Sequence, residues 1–405
     1  MNIAVLSQAL PYLPSRGGFR LYGANLIRTL SKRHEIHLVS LLENDDVQHL
    51  EWPRRYCTSV STIPVNAASF PQRLANFVSA TARGRPTHNR EPLAATLQTG
   101  TVSHKWEVLH VEGGFVGGLV QSDLSIAKVL SLHDSWTLRC DEMLHCAQSV
   151  SEKLYYRLLK FHEPRYERMV YPRFERCVVV AEPDLQAVRK TVPNARVNLI
   201  PYGTDTEYFN ALPVQKEKNT LVFHSHLGYA PNVEAALEFA HDVFPIIRQH
   251  AADAVFHLIG ADPDRKVTEL ASRPGIRISP NLPDLRAAVC SGQVYVCPIR
   301  HGTGLKSKML EAMAMRMPIV GYPGAIVGLD GVPGKHYLVA QDPIEFAAHV
   351  VDLLQHPERA EALAIEGRNL VENKYSWESR ARAYEELYQR VIEERKVHQG
   401  SNGRH

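Results

Sequence analysis

A glycine-rich turn followed by two lysines and a carboxylate is the clearest candidate for chemistry in this chain. The stretch from His301 to Met315 reads HGTGLKSKMLEAMAM, and a short apolar run, 293–298, precedes it. The apolar run predicts a buried strand, and helix-forming residues follow from Lys306. The first turn of a helix offers unpaired backbone N–H groups and the positive end of the helix dipole, so it suits a phosphate. The pattern therefore describes a nucleotide-diphosphate site.

Each side chain in this stretch has its own predicted role. Gly302 and Gly304 allow a ligand to approach the backbone closely. Lys306 and Lys308 add positive charge, and Glu311 lies about one turn into the helix, where a carboxylate can accept hydrogen bonds from ribose hydroxyls. A tight turn followed by solvated lysines would share this pattern, so the motif alone leaves both interpretations open.

Size and composition bound the class of protein. The 405 residues suffice for two ordinary domains, and the 44% hydrophobic and 22% charged residues are typical of soluble globular proteins. The formal net charge of +3 gives no argument for a nucleic-acid partner. Six cysteines without metal-ligand spacing predict free thiols in a reducing cytosol. With neither a secretory signal nor a membrane-spanning run visible, we expect a cytoplasmic protein whose membrane contact, if it has any, is peripheral, at the inner face.

Short apolar strands alternate with helical patterns along both halves of the chain. This alternation predicts an α/β fold of two doubly wound, Rossmann-like domains that face each other across a cleft. We predict an N-terminal domain over 1–205 and a C-terminal domain over 206–376, and a last helix, 377–397, that returns to the N-terminal domain. The core stripe of this helix is predicted to be Tyr384, Leu387, Tyr388 and Val391. Ligands of such folds gather beyond the carboxyl ends of the strands.

Other polar or glycine-rich sequences follow predicted strands in the same way. They are Gly17-Gly18, Glu112-Gly113-Gly114, His133-Asp134 and Ser225-His226. His133 is a candidate for orienting a sugar or relaying a proton, although a histidine in a chain with twenty is often structural. Glu112 and Asp134 are candidates for acceptor binding, and their alternative roles are an ion pair with a nearby base and a helix cap, respectively.

In this order and spacing, the motifs resemble those of the family 4 retaining glycosyltransferases, which have the GT-B fold. The resemblance covers nearly the whole chain and is strongest over 302–321, 223–232, 200–205, 17–18 and 375–377. A sub-group of the family is also similar at Gly84-Arg-Pro86 and His110-Val-Glu-Gly113. The resemblance implies an acceptor-binding first domain, a nucleotide-sugar-binding second domain and metal-independent transfer of a hexosyl group to an acceptor hydroxyl.

The resemblance also implies roles for single residues. Glu311 matches a carboxylate that binds ribose, Lys308 matches the basic position at the diphosphate, and His133 matches a histidine near the donor sugar; these three are the predicted catalytic residues. The predicted donor-binding residues are Gly17, Gly18, Ser225, His226, Asn281, Leu282, Gly302, Thr303, Gly304, Leu305, Lys306, Lys308 and Glu311. The predicted acceptor-binding residues are Glu112, Gly113 and Asp134. We predict no metal ligands.

Several positions depart from the family pattern. Thr303 stands where many relatives carry a glutamate that holds the donor sugar, which leaves the identity of that sugar open. Ser225 replaces a common glycine, and His226 and Asn232 stand where some relatives carry arginine and lysine. The positive charge for the phosphates therefore depends more on the two lysines, Lys306 and Lys308. Tyr202 replaces a common asparagine in the linker.

The expected partners follow from this resemblance. We expect a UDP-sugar as co-substrate, no other cofactor, and a glycan, glycolipid or small-molecule acceptor. The basic amphipathic segment 70–90 predicts a surface helix with a solvated face. If the acceptor is a lipid-linked sugar, this segment is the expected place of peripheral membrane contact. Two other functions stay open: a sugar-nucleotide epimerase of GT-B-like fold, and a catalytically silent protein that binds sugar nucleotides.

Overall fold

The computed structural model describes residues 1–15, 18–65, 90–122, 124–146, 149–300 and 305–402. The chain divides into two compact units, Met1–Pro201 with Arg380–His405, and Tyr202–Ser379. We predicted divisions at 205 and 376. The segment that follows Pro201 belongs to the second unit because backbone hydrogen bonds join Thr204 to Tyr375 and Trp377. The basic segment predicted over 70–90 falls almost wholly outside the described residues.

The first unit is built on a seven-stranded sheet in which all neighbouring strands are parallel. Its strands are β1 (Asn2–Ser7), β2 (Glu35–Leu42), β3 (Ser59–Pro64), β4 (Val108–Glu112), β5 (Ala127–His133), β6 (Arg176–Val179) and β7 (Val197–Leu199). Their order, β3-β2-β1-β4-β5-β6-β7, reverses between β1 and β4. Such a topological switch point is where ligands bind, beyond the carboxyl ends of the strands.

Helices connect these strands and cover the sheet. They are α1 (Gly18–Leu30), α2 (Glu51–Tyr56), α3 (Arg90–Ser103), α4 (Gly114–Gly117), α5 (Trp136–Cys146), α6 (Val150–Val170) and α7 (Glu182–Thr191). The central strands β4 and β5 are buried along their whole length, as expected of parallel strands that have helices on both faces. Their carboxyl ends therefore place Glu112 and His133 inside the unit.

The second unit has a six-stranded parallel sheet of the same plan. Its strands are β8 (Thr220–His224), β9 (Val255–Gly260), β10 (Ile276–Pro280), β11 (Val294–Cys297), β12 (Ile319–Gly321) and β13 (Leu338–Val339). The order β10-β9-β8-β11-β12-β13 puts the switch point between β8 and β11. The predicted α/β fold with two doubly wound parallel sheets is thus confirmed.

The helices of the second unit largely follow the predicted apolar spacing. They are α8 (Ala230–Glu238), α9 (Phe244–His250), α10 (Arg265–Glu269), α11 (Arg286–Cys290), α12 (Ser307–Ala314), α13 (Pro343–Gln355) and α14 (Pro357–Lys374). A wide π-type turn, Phe239–Val243, separates α8 from α9. Pro245 follows this turn, and a proline inside a helix cannot donate the usual hydrogen bond.

The last helix, α15 (Trp377–Asn402), begins in the second unit and from Arg380 onward belongs to the first. Its predicted core stripe is confirmed, since all four residues are buried: Tyr384, Leu387, Tyr388 and Val391. Across the described ranges, every helix is too short or too polar to span a lipid bilayer.

Candidate functional site

The predicted nucleotide site lies directly after the strands that flank the switch point of the second sheet. β8 ends at His224, β11 ends at Cys297, and α12 begins at Ser307 with Lys306 as its N-cap residue. One face of α12 is anchored in the core of the unit by Met309, Leu310, Ala312 and Met313. Leu305 is partly buried against the same core. The predicted residues Gly302, Thr303 and Gly304 lie outside the described residues.

Glu311 is paired with a histidine to which the sequence analysis gave no role. His224 Nε2 lies 2.8 Å from Glu311 Oε2. The His224 ring is buried edge-on against Tyr295, whose hydroxyl donates to the His224 carbonyl oxygen. The ring therefore has little freedom and fixes one oxygen of Glu311. The carboxylate is still partly exposed, as a group that binds ribose must be.

Lys308 lies between a polar contact and an aromatic ring. Its Nζ donates to Asn232 Oδ1 at 2.5 Å and lies 5.3 Å from the centre of the Phe223 ring. Burial lowers the pKa of Lys308, against the opposing effects of Cys297 and Glu311. An anion that approached this ammonium would find a cation that has already lost much of its water, so their attraction would be strong.

The loops that follow β8 and β9 approach each other closely. Gly228 is adjacent to the Asp262 carbonyl oxygen, which would lie 2.5 Å from a Cβ at Gly228. The Asp262 N–H donates to Asn281 Oδ1, and both residues have positive φ angles. His226 Nε2 lies 3.4 Å from Asp262 Oδ2, and both side chains are mostly exposed. The structure thus brings the predicted His226 and Asn281, which follow β8 and β10, to Asp262 in the loop after β9.

Two polar atoms near these loops are buried without a hydrogen-bond partner among the described residues. They are Ser225 Oγ and His224 Nδ1. Buried polar groups are rarely left unpaired in a folded protein, and unpaired ones often belong to a functional site. Leu282, another predicted donor-binding residue, follows Asn281 and is partly exposed.

A buried carboxylate between two histidines lies at the carboxyl ends of β4 and β5 in the first unit. Glu112 is 1% exposed, and its two oxygens lie 2.5 Å from His110 Nε2 and from His133 Nε2. His110 Nδ1 lies 2.7 Å from the Tyr388 hydroxyl of α15. If Tyr388 donates to His110 Nδ1, His110 carries its proton on Nε2 and donates it to one carboxylate oxygen, and His133 can donate its Nε2–H to the other.

The two imidazoles determine the charge of Glu112. Burial raises the pKa of its carboxyl group, but His133 and His110 outweigh this effect and lower the pKa to about 2. Glu112 is therefore a carboxylate at neutral pH.

His133 is held in an unusual conformation. Its φ angle is +64°, in the left-handed region that side chains other than glycine rarely adopt. The ring packs against Phe19 at 4.0 Å and edge-on against Tyr22 at 4.6 Å between ring centroids. Backbone strain of this kind persists only where the surroundings enforce it, and it concentrates at functional sites.

Two other predicted residues are chain neighbours of this row: Gly113 follows Glu112, and Gly18 precedes Phe19, whose ring contacts His133. Gly113 has a φ of +111°, and a Cβ there would lie 2.3 Å from Gln8 Oε1, so this position requires glycine. Gly18 begins α1 with open space around it. Gly17 lies outside the described residues.

The placement of Glu112 corrects one prediction. We predicted Glu112 as an acceptor-binding residue, but it is buried and both of its oxygens are engaged by imidazoles. The alternative, pairing with a base, is what the structure shows. Asp134 pairs with Arg139 at 2.6 Å, and it is Ser135 Oγ that accepts the Leu138 N–H at the start of α5. A role for Asp134 in acceptor binding stays a prediction.

Sequence reasoning missed the partners of the predicted residues. The position of His110 could have been predicted, because residues two apart in a strand point to the same face and His110 therefore lies beside Glu112. His224 ends β8, but its pairing with Glu311 depends on the strand order, in which β8 lies beside β11. Tyr388 gave no such signal, since it was interpreted only as part of an apolar stripe.

Two doubly wound parallel sheets, each with polar side chains beyond its switch point, define the class of GT-B proteins. Residues 16–208 match the family model described as Glycosyltransferase Family 4, and residues 218–356 match the model described as Glycosyl transferases group 1. Together the two matches span most of the chain, which therefore belongs to the GT-B glycosyltransferases of group 1 and family 4. The resemblance of the motifs to this family is thus confirmed for the family and its fold.

Solved structures share this fold, and one curated relative aligns along most of the chain. Sucrose-phosphate synthase from Thermosynechococcus elongatus is 15% identical, with a TM-score of 0.64 and coverage of 96% of this chain and 99% of its own. The Anabaena protein Alr3699/HepE, solved with UDP, is 12% identical, with a TM-score of 0.60 and coverage of 96% and 100%. At these identities the likeness shows the fold alone. An uncharacterized 44.6 kDa protein in the cps region of Klebsiella pneumoniae is 18% identical over 392 residues, 92% of this chain and 96% of its own length.

Proposed function

We propose that the protein is a retaining hexosyltransferase that uses a UDP-sugar and needs no metal ion. The observation that carries the proposal is the grouping of Lys308, Asn232, Glu311 and His224 on and beside α12, beyond the switch point of the second sheet. The Anabaena protein HepE has been solved with UDP, with UDP and glucose, and with UDP-glucose. UDP-glucose is therefore the first donor to test.

In the proposed reaction, the bond between the anomeric carbon of the sugar and the diphosphate oxygen breaks. The acceptor hydroxyl oxygen forms the new bond on the face from which the diphosphate leaves, and a diphosphate oxygen takes the acceptor proton. Negative charge grows on the departing diphosphate. Lys308 and the first N–H groups of α12 stabilise that charge most where it is largest, in the transition state.

Other residues would bind the substrates in this proposal. Glu311, fixed by His224, accepts hydrogen bonds from the ribose hydroxyls, and His226 donates a hydrogen bond to the phosphates. His133, held by Glu112 through Nε2, orients the donor sugar. The acceptor is a glycan, a glycolipid or a small molecule with a free hydroxyl, and no further cofactor takes part.

Slow hydrolysis of UDP-glucose, with water as the acceptor, tests the proposal directly. We expect UDP release, and glucose that appears first as the α anomer in proton NMR spectra recorded before mutarotation, with or without added EDTA. Appearance of the β anomer first would contradict retention. Conversion of UDP-glucose to its epimer without release of UDP would favour an epimerase. UDP binding without turnover, in the presence of a panel of acceptors, would favour a silent binding protein.

Replacing His224 by phenylalanine should weaken UDP binding by about tenfold, because Glu311 loses the partner that fixes it and a hydrogen bond to a charged group contributes about 1.5–3 kcal/mol. The phenyl ring keeps the edge-on contact with Tyr295. Isothermal titration with UDP measures the change. Tyr295→Phe is the control, since it removes only the hydroxyl donated to the His224 carbonyl and should leave the affinity unchanged. Unaltered affinity in His224→Phe, together with weakened binding in Glu311→Gln, would show that Glu311 acts without His224.

A further inference from the structure

The outer face of α6 carries a row of exposed apolar side chains. Val150 is 85% exposed, Leu154 59%, Leu158 44% and Phe161 72%. The spacing of four, four and three residues brings all of them to one side of the helix. We call these four residues the α6 stripe.

The opposite side of the same helix is already buried. Leu159, Tyr166 and Val170 are buried, and the last two belong to the core of the first unit. A helix on the surface of a protein normally has one apolar side, which faces the core, and a polar side that faces water. Here a second apolar side faces outward, and a contiguous exposed apolar patch marks an interaction surface.

Positive charge accompanies the α6 stripe. The stretch from Val150 to Phe161 contains three basic residues, Lys153, Arg157 and Lys160, and a single acidic one, Glu152. At about 100° per residue, the three basic residues lie along one edge of the stripe, while Glu152 lies on the far side of the helix. Glu152 is engaged there in a capping box with Ser149. Lys160 forms a half-exposed ion pair with Asp141, and Lys153 and Arg157 are exposed.

We propose that the α6 stripe docks on an anionic lipid surface, with α6 lying in the plane of the interface. Apolar side chains in a line, with lysine and arginine along the edge, are the pattern of a helix that buries one face at the boundary between headgroups and acyl chains. The long basic side chains extend to the anionic headgroups while their stems stay in apolar surroundings. A stripe of about 16 Å on one convex helix suits a flat surface better than a pocket for a small molecule. The surface lies on a different element from the segment 70–90 that the sequence suggested.

Sedimentation of the full-length protein with vesicles tests this proposal. Vesicles of phosphatidylcholine alone are compared with vesicles of phosphatidylcholine and phosphatidylglycerol. We expect binding that requires phosphatidylglycerol and weakens as salt is raised. The double variant Leu154→Ser/Phe161→Ser should lower the partition coefficient at least about tenfold, since two large apolar groups leave the lipid. Lys153→Gln and Arg157→Gln should each lower it about fivefold.

Matched variants distinguish binding through the α6 stripe from nonspecific hydrophobic adsorption. Val102→Ser on α3 and Ile344→Ser on α13 change apolar residues that are equally exposed elsewhere, and they should bind vesicles as the wild type does. Thermal melting by circular dichroism will show whether the apolar double variant folds. If it does not, the charge variants still test the proposal, because they alter only exposed residues. The proposal is overturned if the wild type ignores phosphatidylglycerol, or if the α6 variants bind as well as the wild type. It is also overturned if light scattering shows a dimer that Leu154→Ser/Phe161→Ser dissociates, because a second copy would then cover the stripe.

Discussion

Lys308→Met is expected to lower kcat with UDP-glucose by about 10²–10³-fold, the usual effect of removing one donor that stabilises transition-state charge. Lys308 is partly buried, and its ammonium is already held by Asn232 above the Phe223 ring. Binding therefore requires little rearrangement of this cation, and its attraction increases as the diphosphate gains charge. Methionine keeps the length and apolar contact of the side chain while it removes the charge. Initial rates of UDP release measure the effect, and KM should change much less than kcat.

Two further variants make the Lys308 result specific. Lys335→Met removes an exposed lysine of the same unit, which pairs with Glu366 across 3.3 Å, and should leave kcat unchanged. Lys308→Arg keeps the charge but replaces a point donor by a planar fork, so a partial loss is expected. A kcat in Lys308→Met equal to that of the wild type would remove Lys308 from the proposed mechanism.

The sequence predicted the central strands well for a physical reason. Parallel strands that are covered on both faces need continuous apolar runs. Such runs are visible in the sequences of β1, β2, β4, β5, β8 and β11. The edge strands β3, β7 and β13 were not predicted. They are short or partly exposed, so their composition differs little from that of loops.

The candidate site shows a similar division between local and distant information. Lys308 and Glu311 lie three residues apart, and helical spacing alone puts them on neighbouring positions of one helix. Their partners Asn232 and His224 come from α8 and β8, which lie far away in the sequence. Only the strand order, with β8 beside β11, brings these residues to α12.

The row around Glu112 was still harder to predict. Tyr388 lies 278 residues from His110, and it reaches that ring because α15 packs in the first unit from Arg380 onward. A tyrosine in an apolar stripe is predicted to be a core residue, and Tyr388 is indeed buried in the core. Its buried hydroxyl nevertheless requires a partner, and nothing local in the sequence names that partner.

Glu112→Gln is expected to lower kcat by about 10–100-fold, by analogy with groups that orient a metal-bound histidine, whose replacement lowers activity in this range. In the native row, both oxygens accept an Nε2–H, one from His110 and one from His133. A glutamine offers one oxygen and one NH₂ group, so one imidazole would face a donor and must change its tautomer or its orientation. Stability should also fall, by about 3 kcal/mol, because a buried charged contact is broken. Initial rates of UDP release and urea unfolding measure the two effects.

The pH dependence of unfolding distinguishes this role from simple packing. The pKa of Glu112 is lowered from 4.5 to about 2 in the folded protein, so the unfolded chain binds its proton more tightly. Its stabilising effect is therefore complete above pH 4.5 and is lost as the pH falls from there toward 2. The wild type should lose stability across this range more steeply than Glu112→Gln, which has no proton to gain at this position.

Tyr388→Phe is the control, since it removes the contact to His110 Nδ1 but leaves Glu112 bonded to His133. We expect Tyr388→Phe to lose about 1–2 kcal/mol of stability and to keep most of its activity. If Tyr388→Phe and Glu112→Gln lose activity equally, the row acts as a packing element of α15, and Glu112 does not position His133 for the reaction.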